Sequence, residues 1–311
     1  MHTYDVAVIG GGAAGLSGAL VLTRARRSVL VIDAGHPRNA PAAAMHGFIG
    51  RDGTPPADLL ADARREVTSY GGTLVRGTVT DVATADDGRL LVTRDDGDVV
   101  AARRVLLTTG LHDEIVDVPG AHERWGRDVL HCPYCHGYEV RDQKLGVLGG
   151  TPASVDHALL LRQWSGDVVY FANGAAIEDA DRERMVARAI GVVEEPLRRL
   201  VVRDDRLAGV ELADGRVVAR SAVFVRPRLI PHHDLLTGLG CTLDDDGWPV
   251  VDPTGRTSVP GVWAAGNAAD PRAQVVTAAG QGSAAAIAIN ADLVEEDTAR
   301  DVLAHRAGLP A

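Results

Sequence analysis

Positive charge is in deficit in this sequence: 42 acidic side chains against 32 basic ones leave a formal net charge of −10. Such a balance excludes broad nucleic-acid binding, which needs cations to replace the counterions of phosphates, and offers nothing to an anionic membrane surface. No uninterrupted apolar run reaches the roughly 18 residues that mark a membrane span. Cysteine is scarce, three in 311 residues, so a disulfide scaffold is excluded and a reducing cytoplasm is the expected compartment. The opening Met1-His2-Thr3-Tyr4-Asp5 lacks the basic start and apolar core of a signal peptide. There is also no second CxxC, which leaves Cys241 and scattered histidines short of a closed four-ligand zinc site, and no metal is expected. What remains is 46% hydrophobic and 24% charged, the profile of a soluble globular chain. Its length suits two domains, each with its own core.

Two of the three cysteines stand together in His131-Cys132-Pro133-Tyr134-Cys135-His136-Gly137-Tyr138-Glu139. This spacing has four readings: haem attachment (CPYCH), zinc, a merely buried pair, or a redox-active dithiol. Haem attachment belongs to exported chains, and zinc lacks its remaining ligands. A dithiol is favoured because one thiol of such a pair is often acidified and attacks as thiolate. Nothing in these nine residues names the electron acceptor.

The N-terminal stretch supplies a candidate. Tyr4–Ile9 reads as a buried strand, followed by Gly10-Gly11-Gly12-Ala13-Ala14-Gly15 and an Ala/Leu-rich helix to about Thr23. Gly10, Gly12 and Gly15 fit GxGxxG in its required strand-turn-helix context. A second strand, Ser28–Ile32, ends at Asp33, where a carboxylate can hold a ribose hydroxyl. Side-chain-free turns let a pyrophosphate approach the helix N-terminus, whose free N–H groups favour the anion. The segment from Gly35 to Gly50 has no helical or strand period, and long loops of this kind are usually functional; Asn39 and His46 are its candidate cofactor contacts. Pro56–Ser69 reads as an amphipathic helix with Leu59, Leu60, Ala63 and Val67 on one face. Strands follow at Thr73–Ala83, containing Val79, then Leu90–Arg94, Val99–Ala101 and Val105 to Gly110.

After the CxxC a second βαβ pattern begins with Leu145–Leu148, the turn Gly149-Gly150-Thr151-Pro152-Ala153-Ser154, a helix Val155–Trp164 and a strand Val168–Phe171. Its fingerprint is damaged: Thr151 and Ser154 replace the second and third glycines, and Ala172-Asn173-Gly174 supplies neither the acid nor the arginine that would select a nicotinamide cofactor. Asp244-Asp245-Asp246 reads as a solvated turn rather than a calcium loop. The strand-and-turn Thr257–Asn267 leads through Arg272–Val276 into an Ala/Gly-rich helix to about Asn290, with Glu295–Ala311 expected as a surface helix and tail.

GGGAAG at the start, Thr108-Thr109-Gly110 ahead of Pro119-Gly120, the CxxC before a second turn-helix, and Gly261-Val262-Trp263-Ala264-Ala265-Gly266-Asn267 followed by Gln274 together resemble the low-molecular-weight thioredoxin reductase family. The resemblance covers nearly the whole chain. It implies an α/β fold of two Rossmann-like, three-layer ββα nucleotide-binding domains, the second inserted into the first. The first would comprise 1–113 and 244–311 and bind FAD; the second, 114–243, would be of nicotinamide type and carry the CxxC. It implies a homodimer as well. Cys135 would face the flavin and Cys132 would exchange with substrate. Gly10, Gly12, Ala14, Gly15, Asp33, Asn39, His46, Val79, Thr109, Gly110, Gly266, Asn267, Gln274 and Val275 would contact the cofactor, with Asn267 standing where reductases carry an aspartate.

Three departures move the expectation away from thioredoxin reduction: His136 where reductases have an acid, the broken second fingerprint, and the absent arginine pair. CPYCHGYE and the closing GN are instead similar to the dithiol oxidases of gliotoxin and holomycin biosynthesis. That likeness implies closure of a disulfide in a small-molecule dithiol, with O2 as acceptor and hydrogen peroxide as product. His136 is the candidate for taking the substrate proton, because imidazole titrates near neutral pH; the alternative is that it fills space and holds a backbone carbonyl. An NAD(P)H-dependent disulfide reductase and a flavin-bound redox sensor are the alternatives.

Overall fold

Along the strand Thr3–Ile9 the buried residues alternate between two cores. Val6 and Val8 pack with Leu16, Leu22, Trp263 and Ile289, while Ala7 and Ile9 pack with Leu30, Ile32, Leu107 and Leu236. A strand covered on both faces belongs at the centre of its sheet. The computed structural model, which describes residues 2–308, puts it there. Thr3–Ile9 pairs in parallel with Val29–Asp33 on one side and Val99–Leu107 on the other, with Thr73–Arg76 beyond Val29–Asp33. Val99–Leu107 pairs antiparallel with Leu90–Arg94 through its first half and parallel with Val262–Ala264 through its second. The helices Ala13–Arg24 and Val275–Arg306 supply residues to the first core, and small residues let their backbones approach: a Cβ on Gly282 would lie 2.7 Å from the Ala14 carbonyl carbon.

The chain forms two compact units. One contains the residues up to Arg38, Ala57–His112 and those from Ile230 onwards; the other contains Asn39–Pro56 and Asp113–Leu229. In the second unit five parallel strands run in the order Gly191–Val193, Asp167–Phe171, Lys144–Leu148, Ala222–Phe224, Val129–Leu130. Helix Pro152–Leu161 packs on one face through Val155, Ala158 and Leu161. The antiparallel Leu197–Arg203, Arg206–Leu212 and Val217–Val218 cover the other through Leu200, Leu207, Val210 and Leu212. Each unit is therefore a parallel sheet between helices and antiparallel strands, the fold class read from the sequence.

Four details differ from the sequence reading. The expected strand Thr73–Ala83 is two strands, Thr73–Arg76 and Val79–Thr84, because the chain leaves its parallel partner at Gly77 and crosses to pair antiparallel with Leu90–Arg94. Val99–Ala101 and the strand from Val105 are one element, since successive parts of the same edge find different partners. The C-terminal helix does not stop near Asn290 but runs unbroken to Arg306, its acidic residues Asp292, Glu296 and Asp297 clasped by Arg104, Arg103 and Arg27. The unit boundary falls at Ile230 rather than 244, because Leu236 and Cys241 are buried in the core of the first unit, and Asn39–Pro56 groups with the second.

Candidate functional site

In the first unit, the parallel strands Thr3–Ile9, Val29–Asp33, Val99–Leu107 and Val262–Ala264 bring their C-terminal ends to one edge of the sheet. Gly10 turns there at φ +106°, and a side chain on it would run into the Thr108 carbonyl. Gly15 likewise has no room: a Cβ would overlap the Gly10 carbonyl oxygen and lie 2.6 Å from Thr108 Oγ1. Thr108 fixes the turn by donating from that hydroxyl to Ile9 O at 3.0 Å and Gly10 O at 2.8 Å. Gly12 is different. It is the N-cap of Ala13–Arg24, has no side chain to cap the helix, and a Cβ on it would meet nothing within 4 Å. An uncapped helix N-terminus facing open space suits the pyrophosphate of a dinucleotide.

Asp33 stands beside this turn. Its Oδ1 accepts the N–H groups of Gly11 at 3.1 Å and Gly35 at 3.2 Å, and its Oδ2 accepts Arg64 Nη2 at 3.0 Å. An ionised carboxylate has about four acceptor positions, so one remains for a ribose hydroxyl. Val79 begins its strand two residues after Gly77, whose N–H donates to Asp33 O at 3.1 Å. Thr109 donates to His232 O at 3.0 Å, and Gly110 turns at φ +73°. Gly266, at φ +67°, abuts Ala14, whose Cβ would be 2.8 Å from its own. Asn267 uses both amide hydrogens on its own loop, donating to Asp270 O at 2.9 Å and Ala273 O at 3.0 Å, and accepts from Arg38 at 3.2 Å. Gln274 caps and Val275 begins the long helix. These donors, the open cradle at Gly12 and the remaining Asp33 acceptor fit an FAD.

The cysteine pair is in the second unit. After the strand Val129–Leu130 the chain enters one helical turn, Pro133–His136, with Cys132 as N-cap and proline at the position where its fixed φ is suited to a helix start. Cys132 and Cys135 are joined as a disulfide with Cα atoms 5.2 Å apart, and the Cys135 N–H points at Cys132 Sγ from 3.2 Å. Gly137 must be glycine, because a Cβ there would touch the Trp164 indole at 2.9 Å; the Tyr134 ring meets the same indole edge-on at 5.5 Å. Thus the redox turn is packed against Trp164, while Tyr134 and Tyr138 remain exposed. Burial pushes the pKa of His136 down, and the nearby Glu139 carboxylate pulls it partly back. A neutral imidazole is the form that accepts a proton.

Of the expected cofactor residues, Asn39 and His46 fall in the unit that carries the cysteines rather than with the glycine turn. His46 Nε2 is 3.4 Å from Glu139 Oε1 and its Nδ1 is 3.4 Å from Asp52 Oδ2. Glu139, Trp164 and His157 were not among the expected site residues. His157 is buried beside His131 and Phe224, and burial pushes its pKa down to about 3.

The second glycine turn is occupied by protein. Ser154 accepts the Thr151 N–H at 3.4 Å, donates back to the Thr151 carbonyl, and lies 3.0 Å from the buried Tyr170 hydroxyl, while Tyr170 also fills the space over Gly149. Among the described residues no helix is long and apolar enough to cross a membrane, and no cluster of three or more His, Cys, Asp or Glu is arranged to hold a metal.

The profile of the family described as "Pyridine nucleotide-disulphide oxidoreductase" matches residues 4–282. The crystal structure of HlmI superposes with a TM-score of 0.95 at 56% identity, covering 97% of this chain and 96% of that one. A putative thioredoxin reductase, TrxB, from Bacillus anthracis gives a TM-score of 0.91 at 33% identity over 94% and 99% of the two chains. "Thioredoxin reductase sirT" of Leptosphaeria maculans is 32% identical over 95% of this chain and 96% of its own length.

Proposed function

Since the chain belongs to the pyridine nucleotide-disulphide oxidoreductase family, as a thioredoxin reductase-like FAD flavoprotein and dithiol–disulfide oxidoreductase, we propose that it oxidises a small-molecule dithiol to its intramolecular disulfide and returns the electrons to O2 as hydrogen peroxide. The observation that carries this reading is the Cys132–Cys135 disulfide held in a single turn next to a half-buried His136.

A substrate thiol, with an ordinary pKa of about 8.5, gives its proton to the His136 imidazole. The resulting thiolate attacks Cys132 Sγ; the Cys132–Cys135 bond breaks and Cys135 leaves as thiolate. The second substrate thiol, once deprotonated, attacks the substrate sulfur of the mixed disulfide, closing the product ring and releasing Cys132 as thiolate. The Cys135 N–H at 3.2 Å from Cys132 Sγ stabilises negative charge on that leaving sulfur. Bound FAD supplies the two-electron sink that restores the protein disulfide. In the first unit, Gly12 and the helix N-terminus would hold its pyrophosphate and Asp33 its ribose, with Ala14, Val79, Thr109, Gly110, Gly266, Asn267, Gln274 and Val275 as the further proposed contacts. Homodimer formation is proposed with the same reading.

The self-capped Thr151–Ser154 turn with Tyr170 behind it supports a pathway that needs no pyridine nucleotide. Anaerobic mixing of the holoenzyme with NADPH and, separately, with dithiothreitol tests it. Bleaching of the flavin by the dithiol and not by NADPH is expected. Rapid bleaching by NADPH would replace the oxidase with an NAD(P)H-dependent reductase.

A further inference from the structure

In the first unit, the acid proposed for the ribose stands between two arginines from separate elements. Asp33 Oδ1 already accepts two backbone N–H groups, from Gly11 and Gly35. A ribose hydroxyl must therefore use Oδ2, the oxygen that Arg64 holds at 3.0 Å from the helix Pro56–Ser69. The second arginine is Arg76, last residue of the strand Thr73–Arg76 and the Cα partner of Asp33 in the parallel ladder. Its side chain reaches across to Gly35, which turns at φ +81°. A Cβ on Gly35 would lie 3.2 Å from Arg76 Cζ, 3.2 Å from Nη2 and 3.6 Å from Nε. The central carbon is as near as the nitrogens only above the flat face of a guanidinium, so Arg76 lies face-down on Gly35. Arg76 is exposed, and among the described residues no carboxylate pairs with it.

We propose that Arg76 is the platform on which the adenine of bound FAD stacks, with Arg64 fixing the Asp33 oxygen that receives the ribose. The inference rests on the placement of that ribose at Asp33. A guanidinium is flat, cationic and weakly hydrated, and it is attracted to the face of a π system. One face of Arg76 is spent on Gly35; the other is open. Glycine at 35 lets the group settle there, since a Cβ would push against it. An arginine near a ribose can instead take a phosphate on the 2′ oxygen, as in phosphorylated nicotinamide cofactors. Here the Asp33 carboxylate would repel such a phosphate, and its remaining acceptor position suits a hydroxyl, so a neutral base is the partner that the charges favour.

Acid and platform are tied together by the backbone. Gly35 N–H donates to the Asp33 carboxylate at 3.2 Å, and Gly77 N–H, next after Arg76, donates to Asp33 O at 3.1 Å. The two strand ends therefore hold Arg76 at a fixed spacing from the acid. In a dinucleotide the base is carried one sugar ring from the hydroxyl that such an acid accepts, which is the order of the step from Asp33 to the guanidinium over Gly35.

The test is flavin binding, read as the FAD dissociation constant from fluorescence titration of the full-length protein after its flavin is removed, with ADP as competitor and FMN as control. ADP shares the adenosine end of FAD, FMN only the flavin end. Arg76→Ala is expected to weaken FAD and ADP by the same factor, roughly 3- to 30-fold, and to leave FMN unchanged. Arg76→Lys keeps the charge and loses the plane, and should fall between Arg76→Ala and wild type. FAD held as tightly by Arg76→Ala as by wild type, a loss shared equally by FMN, or an Arg76→Lys protein equal to wild type would each overturn the platform. Asp33→Asn separates these outcomes from failure of the ribose placement. If it too leaves FAD and ADP binding unchanged, the ribose is not at Asp33 and the platform falls with it; if it weakens both while Arg76→Ala does not, only the platform is refuted.

Discussion

Two glycines on the C-terminal helix, two residues apart, should respond to alanine with opposite signs. A Cβ on Gly280 would meet nothing within 4 Å, whereas one on Gly282 would lie 2.7 Å from the Ala14 carbonyl carbon and 2.9 Å from its Cα. Replacing glycine by alanine inside a helix gains about 0.8–1 kcal/mol from backbone entropy and propensity. Gly280→Ala keeps that gain. Gly282→Ala has the same gain but must push two helices apart, because its Cβ would overlap the Ala14 carbonyl oxygen, a backbone atom that cannot rotate away; this puts the cost at the upper end of the overpacking range, about 2–3 kcal/mol. Its net effect is destabilisation by about 1–2 kcal/mol, so the two variants should differ by about 2–3 kcal/mol. At roughly 2–4 °C per kcal/mol for a unit of this size, Gly280→Ala rises by a few degrees and Gly282→Ala falls by a similar or larger amount. The release of flavin fluorescence on heating reports the transition of the first unit directly. Because Ala14 lies in the first turn of the proposed cofactor-binding helix, Gly282→Ala should also retain less FAD on dilution. Equal shifts, or a Gly282→Ala protein as stable as wild type, would refute the close approach of Ala13–Arg24 and Val275–Arg306 and with it the account of their small residues.

Two further outcomes follow from buried and clasped charges. His157, with a folded pKa of about 3 against an ordinary 6.5, leaves the unfolded chain binding the extra proton between those values, so stability falls as pH drops below 6.5. From pH 6.5 to 5 this amounts to about 2 kcal/mol, and His157→Phe should abolish that part of the slope in urea titrations at the two pH values; an unchanged slope would contradict the burial. Asp297 is lowered from 3.8 to about 2 by its hydrogen bond to Arg27 and by Arg103, while in Asp292 and Glu296 burial opposes the same shift and the arginines outweigh it. Lowered carboxylates stabilise above their ordinary pKa and lose that contribution as pH falls, so Asp297→Asn should reduce stability at neutral pH and flatten the loss between 3.8 and about 2. A variant as stable as wild type at neutral pH would remove this clasp from the account of the long helix.

The first unit was legible where local chemistry dictates geometry. GGGAAG opens a helix because Gly10 must turn at positive φ and Gly15 has no room for a side chain, both local demands that a sequence displays. The helix Pro56–Ser69 has the bounds that its apolar face suggests. What escaped is what depends on partners far along the chain. Gly77 does not announce that Thr73–Arg76 and Val79–Thr84 pair with different strands. Glu295 onwards is mostly exposed, as expected, but only the fold shows that it continues the long helix and brings Arg27, Arg103 and Arg104 to Glu296 and Asp297.

The same limit applies at the redox turn, with more consequence. His46 lies 86 residues before Cys132 in a stretch without periodicity, so nothing local tells whether it serves cofactor or cysteines. Sequence spacing finds residues that stand as a motif, such as Cys132, Cys135 and His136; it does not find a side chain delivered from another segment. Yet the contact is specific: His46 Nε2 lies 3.4 Å from Glu139 Oε1, three residues beyond His136, and only the folding of the 39–56 segment onto the redox turn can place it there.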